Sequence, residues 1–228
     1  MVDTDTPLVE TEERDGVLVV RLNRPSKLNA INRELLDELL GVLEDATENP
    51  TKSLLFTGAG RAMCSGVDLE IVELPIEEKP EFKSKEHRMF DLIHSYPRPT
   101  AVAGRGAVIG AAFIVALDAD FVVLGEDAVF SFPEIKDGIF SARTTAALER
   151  IVGPKQAKEI VLTGEPVAPE RARELGLVTD VVPAEEVEKR ALELVAAVDR
   201  YDAAAVESTK SMLTYSFPGP GDEEFSID

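Results

Sequence analysis

Among its 228 residues the chain has one cysteine, Cys64, and two histidines. A single cysteine excludes an internal disulfide and suits a reducing compartment. One cysteine and two histidines cannot furnish a structural zinc site, and no metal is expected. There is no run of 18 apolar residues, so no membrane-spanning helix is expected. The opening Met1-Val2-Asp3-Thr4-Asp5-Thr6-Pro7 has neither a basic segment nor an apolar stretch, which argues against a secretory leader and for a cytoplasmic protein. Basic residues are scarce: 24 lysines and arginines stand against 43 acids, a net charge of -19. Such a chain repels nucleic acid and anionic membranes, and neither is expected as a partner.

What is plentiful is acid and apolar surface. The acids are spread along the chain, and arginine outnumbers lysine. This is the composition of a protein from a salt-accumulating cytoplasm, where screening removes most self-repulsion. High salt is therefore expected to be needed for folding and assembly. An apolar share of 44% can bury one core of ordinary domain size.

The hydrophobic patterning alternates strands with helices. Strands are expected at 17–22, 53–57, 100–103, 121–124, 128–130 and 178–182, from short apolar and β-branched runs beside turn signals. Asn32 is a helix N-cap, and Leu35, Leu36, Leu39, Leu40 and Leu43 continue at helical spacing to about Ala46. Residues 70–85, charged and broken by proline, read as a mobile surface loop, and 86–95 as a helix. Residues 111–117 form an apolar helix buried all round. Short helices follow at 144–151, 154–162 and 169–175, amphipathic ones at 184–199 and 203–214, and the tail from Pro218 is loose. The alternation points to an α/β fold of stacked ββα-like turns with a helical appendage.

Three stretches carry chemistry. Cys64-Ser65-Gly66-Val67-Asp68 and Gly104–Asp120 each offer a backbone N–H beside a tight glycine turn, and Pro133-Glu134-Ile135 offers one carboxylate. Two converging donors stabilise charge on a thioester or ester oxygen, and a carboxylate moves the proton.

These residues resemble the crotonase family, the enoyl-CoA hydratase/isomerase proteins. The likeness spans about residues 17–185. It rests on Leu22-Asn23-Arg24-Pro25 with Asn29-Ala30, on Gly60 through Leu69, on Gly106 through Asp120, on Pro133-Glu134-Ile135 with Gly138, and on Leu162-Thr163-Gly164, Ala172 and Gly176-Leu177-Val178. The resemblance implies a spiral acyl-CoA-binding core over 1–162 and a helical C-terminal region over 163–228 that serves oligomerisation and ends in a short tail. It also implies a homotrimer or dimer of trimers, and no cofactor beyond the coenzyme A of the substrate.

By the same resemblance, the Val67 and Ala111 N–H groups hold the thioester oxygen, each worth roughly 3 kcal/mol of barrier. Gly110-Ala111 opens a helix, where free N–H groups and the dipole favour an oxyanion. Glu134 matches the acid/base glutamate, with Phe130, Phe132 and Ile135 expected to desolvate it. Backbone near Lys27, Asn29 and Ala30, and around Ser65, Gly66, Asp68 and Leu69, is implied to hold coenzyme A. Lys27 and Arg61 are placed to meet its phosphates. Gly110 and Ile114 are implied to border the acyl group.

The chain also departs from the pattern. Hydratases of the family carry a second glutamate on the helix after the glycine turn, and here that position is Ile114. The acid that dienoyl isomerases add is missing from Gly138–Arg143, where Ser141-Ala142-Arg143-Thr144-Thr145 replaces a glycine-rich stretch. The tail after Thr214 is shorter than the family's last helix. One glutamate is enough for 3-enoyl to 2-enoyl isomerisation, the expected reaction. Hydration of a 2-enoyl thioester, or another enolate reaction, is the alternative within the family. A catalytically inactive CoA-binding subunit is the alternative from a different class.

Other residues have plainer readings. Ser65 lacks the glycine of a nucleophile elbow and reads as a turn residue. Cys64 is a small apolar filler. His87 and His94, seven apart, belong to a solvated or partner-facing helix face that could border the acyl pocket. Asp118 and Asp120 read as cap and turn residues.

Overall fold

The computed structural model describes residues 6–75 and 79–214. Its framework is a six-stranded sheet. β1 (Val9–Arg14) pairs antiparallel with β2 (Val17–Leu22). Parallel pairings then join β2 to β3 (Ser53–Gly58), β3 to β4 (Thr100–Gly104), β4 to β6 (Phe121–Gly125) and β6 to β8 (Asp180–Val182). Every residue of β3 and β4 is buried, as a parallel sheet covered on both faces requires.

The front face carries the larger core, built with α1 (Arg33–Glu48), α3 (Lys79–His94) and α4 (Ala111–Asp118). Asn32 caps α1 by accepting the Leu35 N–H at 3.1 Å, and the five expected leucines form its buried stripe. The rear face is covered by α7 (Val187–Asp199), whose Val187, Ala191 and Val195 pack on Val17, Val19, Leu55 and Val123. α2 (Leu69–Val72), α5 (Ala142–Thr163), α6 (Pro169–Glu174) and α8 (Ala203–Thr214) complete the helices of the described residues. The segment after residue 162 thus contributes β8 to the sheet and α7 to its rear face.

A second, shorter ladder crosses the front core. β5 (Ala107–Ile109) pairs parallel with β7 (Val129–Ser131), and single bridges extend the ladder through Ile31–Val67, Cys64–Val108 and Phe130–Val167. This ladder, more than the large sheet, positions the site.

The mixed α/β architecture agrees with the sequence patterning, with four local differences. β1 has no signature in the pattern: Glu10-Thr11-Glu12-Glu13 is exposed and charged, and only Val9 is buried. An edge strand needs no apolar alternation and is protected by such charge. The loop expected over 70–85 instead holds α2 and the first turns of α3, while 76–78 lie outside the described residues. α3 starts at Lys79 because Phe82, Glu86, Met89, Phe90 and Ile93 make one buried face. β5, three residues long, is too short for any period to be visible. The two helices expected at 144–151 and 154–162 run on as α5, broken only at Gly153. The tail, expected to be loose, lies outside the described residues.

Candidate active site

Parallel pairing brings the ends of β5 and β7 together. Ile109 stands opposite Ser131, and the Gly110 N–H donates to the Ser131 carbonyl at 3.0 Å. Just beyond β5, Gly110 starts α4; just beyond β7, Pro133 starts the 3-10 turn Glu134–Asp137. The helix N-terminus and the carboxylate therefore meet at one edge. Gly110 has φ 59° and ψ -115°, and a Cβ there would stand 2.7 Å from Glu134 Oε1. Only glycine allows both this backbone and this approach.

The second donor comes from the neighbouring rung. Ile31 N–H donates to Gly66 O at 2.8 Å, and Asp68 N–H to Ile31 O at 2.9 Å. In this parallel pattern the middle residue, Val67, turns its own N–H away from Ile31. A Cβ built on Gly66 would lie 3.7 Å from the Ala111 nitrogen, so the two glycine turns are in contact. The first bond of α4 runs from Ile114 N–H to Gly110 O at 3.1 Å, leaving the Ala111 N–H without an intrahelical acceptor. Neither the Val67 nor the Ala111 N–H is bonded to another described residue.

A cavity of about 420 Å³ opens over this point. Its walls include Ser65, Gly66, Val67, Leu69, Gly110, Ala111, Ile114 and Glu134. Phe82 and Phe90 of α3 and Phe132 before the turn add apolar wall. Burial pushes the Glu134 carboxyl up to about 7, with Glu86 and Asp137 adding repulsion while its own N–H and Lys83 oppose the rise. Glu134 Oε2 is buried and has no hydrogen-bond partner among the described residues. The expected desolvating group changes in part. Phe132 lines the cavity, but Phe130 stacks behind it on Phe113 at 4.2 Å, and Ile135 is 38% exposed.

Lys27, Asn29, Ala30, Arg61 and Asp68 do not line the cavity. Asn29 is fully buried, and its side chain is spent on structure. It accepts from Arg24 N–H at 2.8 Å and donates to the carbonyls of Ala59, Ala62 and Met63 at 3.0, 2.8 and 3.0 Å. That clamp holds the Lys27 loop against the Arg61 loop, and both cations are exposed. Asp68 caps α2 through Glu70 N–H and pairs with Arg24. Burial alone would raise its carboxyl, but Arg24 and Glu70 N–H hold it below the usual range.

Charged residues of the cavity wall outside the matched motifs include Lys79, Lys83 and Glu86 of α3, and Arg143 of α5 from the stretch that departs from the family pattern. A signal for them exists. Glu86 interrupts an apolar stripe once the helix is extended back to Lys79. Arg143 is held by Asp91 at 2.7 Å and Asp118 at 3.1 Å, and His94 Nδ1 lies 3.1 Å from Asp118. Asp118 thus joins helices, and no cluster of three or more histidines, cysteines or acids placed to hold a metal occurs among the described residues. His87 borders the cavity. Cys64 is buried and its thiol is pushed up to about 12 by desolvation, so it is no nucleophile.

Comparison with known proteins gives one answer. The family model described as enoyl-CoA hydratase/isomerase matches residues 12–226. A 2,3-dehydroadipyl-CoA hydratase of Escherichia coli is 34% identical over 212 residues, covering 92% of this chain and 82% of the relative. The solved enoyl-CoA hydratase from Bacillus anthracis superposes with a TM-score of 0.86 at 27% identity, over 91% of this chain and 82% of the other. An enoyl-CoA hydratase/isomerase from Xanthobacter autotrophicus superposes with a TM-score of 0.83 at 32% identity, over 91% and 79%. The expected crotonase-type fold is therefore the observed one.

Proposed function

The chain belongs to the enoyl-CoA hydratase/isomerase family, and from that premise we propose that it converts 3-enoyl-CoA thioesters into the conjugated 2-enoyl form. The thioester oxygen lies between the Val67 and Ala111 N–H groups. Glu134 removes a proton from C2, the double bond and charge shift toward the oxygen, and the same carboxyl returns the proton to C4. The resulting dienolate oxygen accepts from the two N–H groups, which need no reorganisation to receive it. Coenzyme A lies over the Lys27 and Arg61 loops, whose two cations meet its phosphates. One observation carries the reading: Glu134 Oε1 packs against Gly110 at the opening of α4, with its carboxyl near 7. A group of that pKa can both take and give a proton near neutrality.

The test is Glu134→Gln with a 3-enoyl-CoA substrate, following the conjugated enoyl chromophore. Turnover is expected to fall by about 10²–10⁴-fold with thioester binding retained. Unchanged turnover in the variant would remove Glu134 from the reaction, and a wild type that binds CoA esters without converting them would replace this reading with that of a binding subunit.

Hydration of 2-enoyl thioesters is the second reading. It is favoured by the name of the Escherichia coli relative, a hydratase, and by one further side chain in the cavity.

A further inference from the structure

We propose that Glu86 is a second catalytic carboxylate, the group that activates water for addition to a 2-enoyl thioester. This deepens the acyl-CoA reading and rests on it. Ile114 borders the cavity but its hydrocarbon side chain cannot accept a proton from water. Glu86 borders the same cavity from α3, and it is only 4% exposed. It stands on the buried face of that helix, among Phe82, Met89 and Phe90. A carboxylate there carries a desolvation cost that a leucine at the same place would avoid, so packing does not account for it.

Its ion pair does not account for it either. Lys83 Nζ donates to Glu86 Oε2 at 2.6 Å, but the Lys83 side chain is 47% exposed. A single bond to a half-solvated ammonium one turn away adds little to stability. It does orient the carboxylate by fixing one oxygen. No described residue donates to Oε1, so that oxygen can accept from a water in the cavity. The two carboxylates also sense each other, since Glu86 is among the groups that hold the Glu134 carboxyl high. Two carboxylates facing one cavity can serve one reaction as base and as acid.

The steps balance. Glu86 takes a proton from water as the oxygen bonds to C3. The C2–C3 π electrons move to the thioester oxygen, held by the Val67 and Ala111 N–H groups. Protonated Glu134 then delivers its proton to C2. The product is the 3-hydroxyacyl thioester. Glu86 ends protonated and Glu134 ionised, and exchange with solvent restores both. No oxidant or metal enters. Isomerisation, in contrast, uses Glu134 alone.

The two reactions therefore separate in one variant. Full-length wild type, Glu86→Gln and Glu134→Gln are each given crotonyl-CoA and a 3-enoyl-CoA in molar KCl. The 2-enoyl and 3-hydroxyacyl products are resolved by chromatography. Wild type is expected to perform both reactions. Glu86→Gln is expected to lower hydration by about 10²–10⁴-fold relative to isomerisation, and Glu134→Gln to lose both. If Glu86→Gln does not fold, Glu86→Asp keeps the charge and is read in the same way, with hydration falling at least about tenfold relative to isomerisation. Hydration unchanged in the variant, or both reactions falling in step, overturns the assignment. A wild type that isomerises but does not hydrate overturns it while leaving the acyl-CoA reading intact. A wild type that does neither overturns both.

Discussion

Glu134 shows how much one side chain takes from its surroundings. A glutamate after a proline is ordinarily a solvated surface acid. Here burial pushes it up to about 7 from 4.5, with Glu86 of α3 and Asp137 of its own turn adding to the rise and Lys83 of α3 opposing it. Isomerisation needs the ionised form as base, so its kcat/KM should rise as pH passes upward through about 7. Hydration needs the protonated form as acid, so its kcat/KM should fall through the same point. Measuring both profiles on one preparation checks the two signs, and Glu134→Gln should remove the shared inflection. Stability follows the same linkage. The folded state binds this proton more tightly than the unfolded chain does, so the stabilisation is fully present below about 4.5 and is lost as pH rises toward 7. Melting temperatures of Glu134→Gln and wild type, compared at pH 5 and pH 7.5, should diverge in favour of the variant at the higher pH.

At the scale of elements, the path of α5 depends on a single backbone position. Gly153 has φ 77° and ψ 164°, a region open essentially to glycine, and Pro154 follows it. The break lets the first half of α5 begin at Ser141, whose hydroxyl caps Thr144 N–H at 3.2 Å, so that Arg143 reaches the cavity wall. The second half then runs to Gly164. A Cβ on Gly153 would meet no neighbouring atom within 4 Å, so the strain of a substitution would be purely conformational. Gly153→Ala should destabilise the protein by about 2 kcal/mol in denaturant unfolding, with the slope of the transition unchanged. The same substitution at an exposed α-helical glycine, Gly41 in α1, should instead be neutral or stabilising.

Over the whole molecule, charge sets the conditions under which the fold holds. The net charge of -19 is spread over the surface, and several ion pairs relieve it locally, such as Arg21–Glu188 at 2.9 Å and Arg98–Asp199 at 3.1 Å. Self-repulsion opposes compaction, and salt screens it over a length that shrinks to about 3 Å at 1 M. The melting temperature should therefore rise steadily as KCl is raised from about 0.1 M to 2 M, a range chosen to carry the screening length from about 10 Å toward a few ångströms. A salt-independent melting temperature would exclude adaptation to a salt-rich cell. The trimer implied by family resemblance belongs to this scale too. Phe140 at the cavity rim is 84% exposed, and α8 lies almost wholly on the surface of the single chain. Light scattering at high salt should return a mass of three chains or six.

Much of the protein follows from local sequence. The five leucines of α1, the apolar runs of β2, β3, β4 and β6, and the glycine turns at Gly66 and Gly110 are set by short-range periodicity and backbone freedom, which act within a few residues. The carboxylate at Glu134 and the donors at Val67 and Ala111 are legible because their motifs are contiguous. Other features are settled only in three dimensions. β1 is a strand because β2 offers it an edge, not because its residues are apolar. α3 begins at Lys79 because its face is buried against α1 and α4, and that burial turns Glu86 from the first residue of a solvated helix into a buried acid on the cavity wall. The raised Glu134 carboxyl likewise depends on walls contributed by α3 and α4. Periodicity records which residues prefer burial, but the partner that buries them, and the charge found beside them, is decided by contacts between segments distant in the chain.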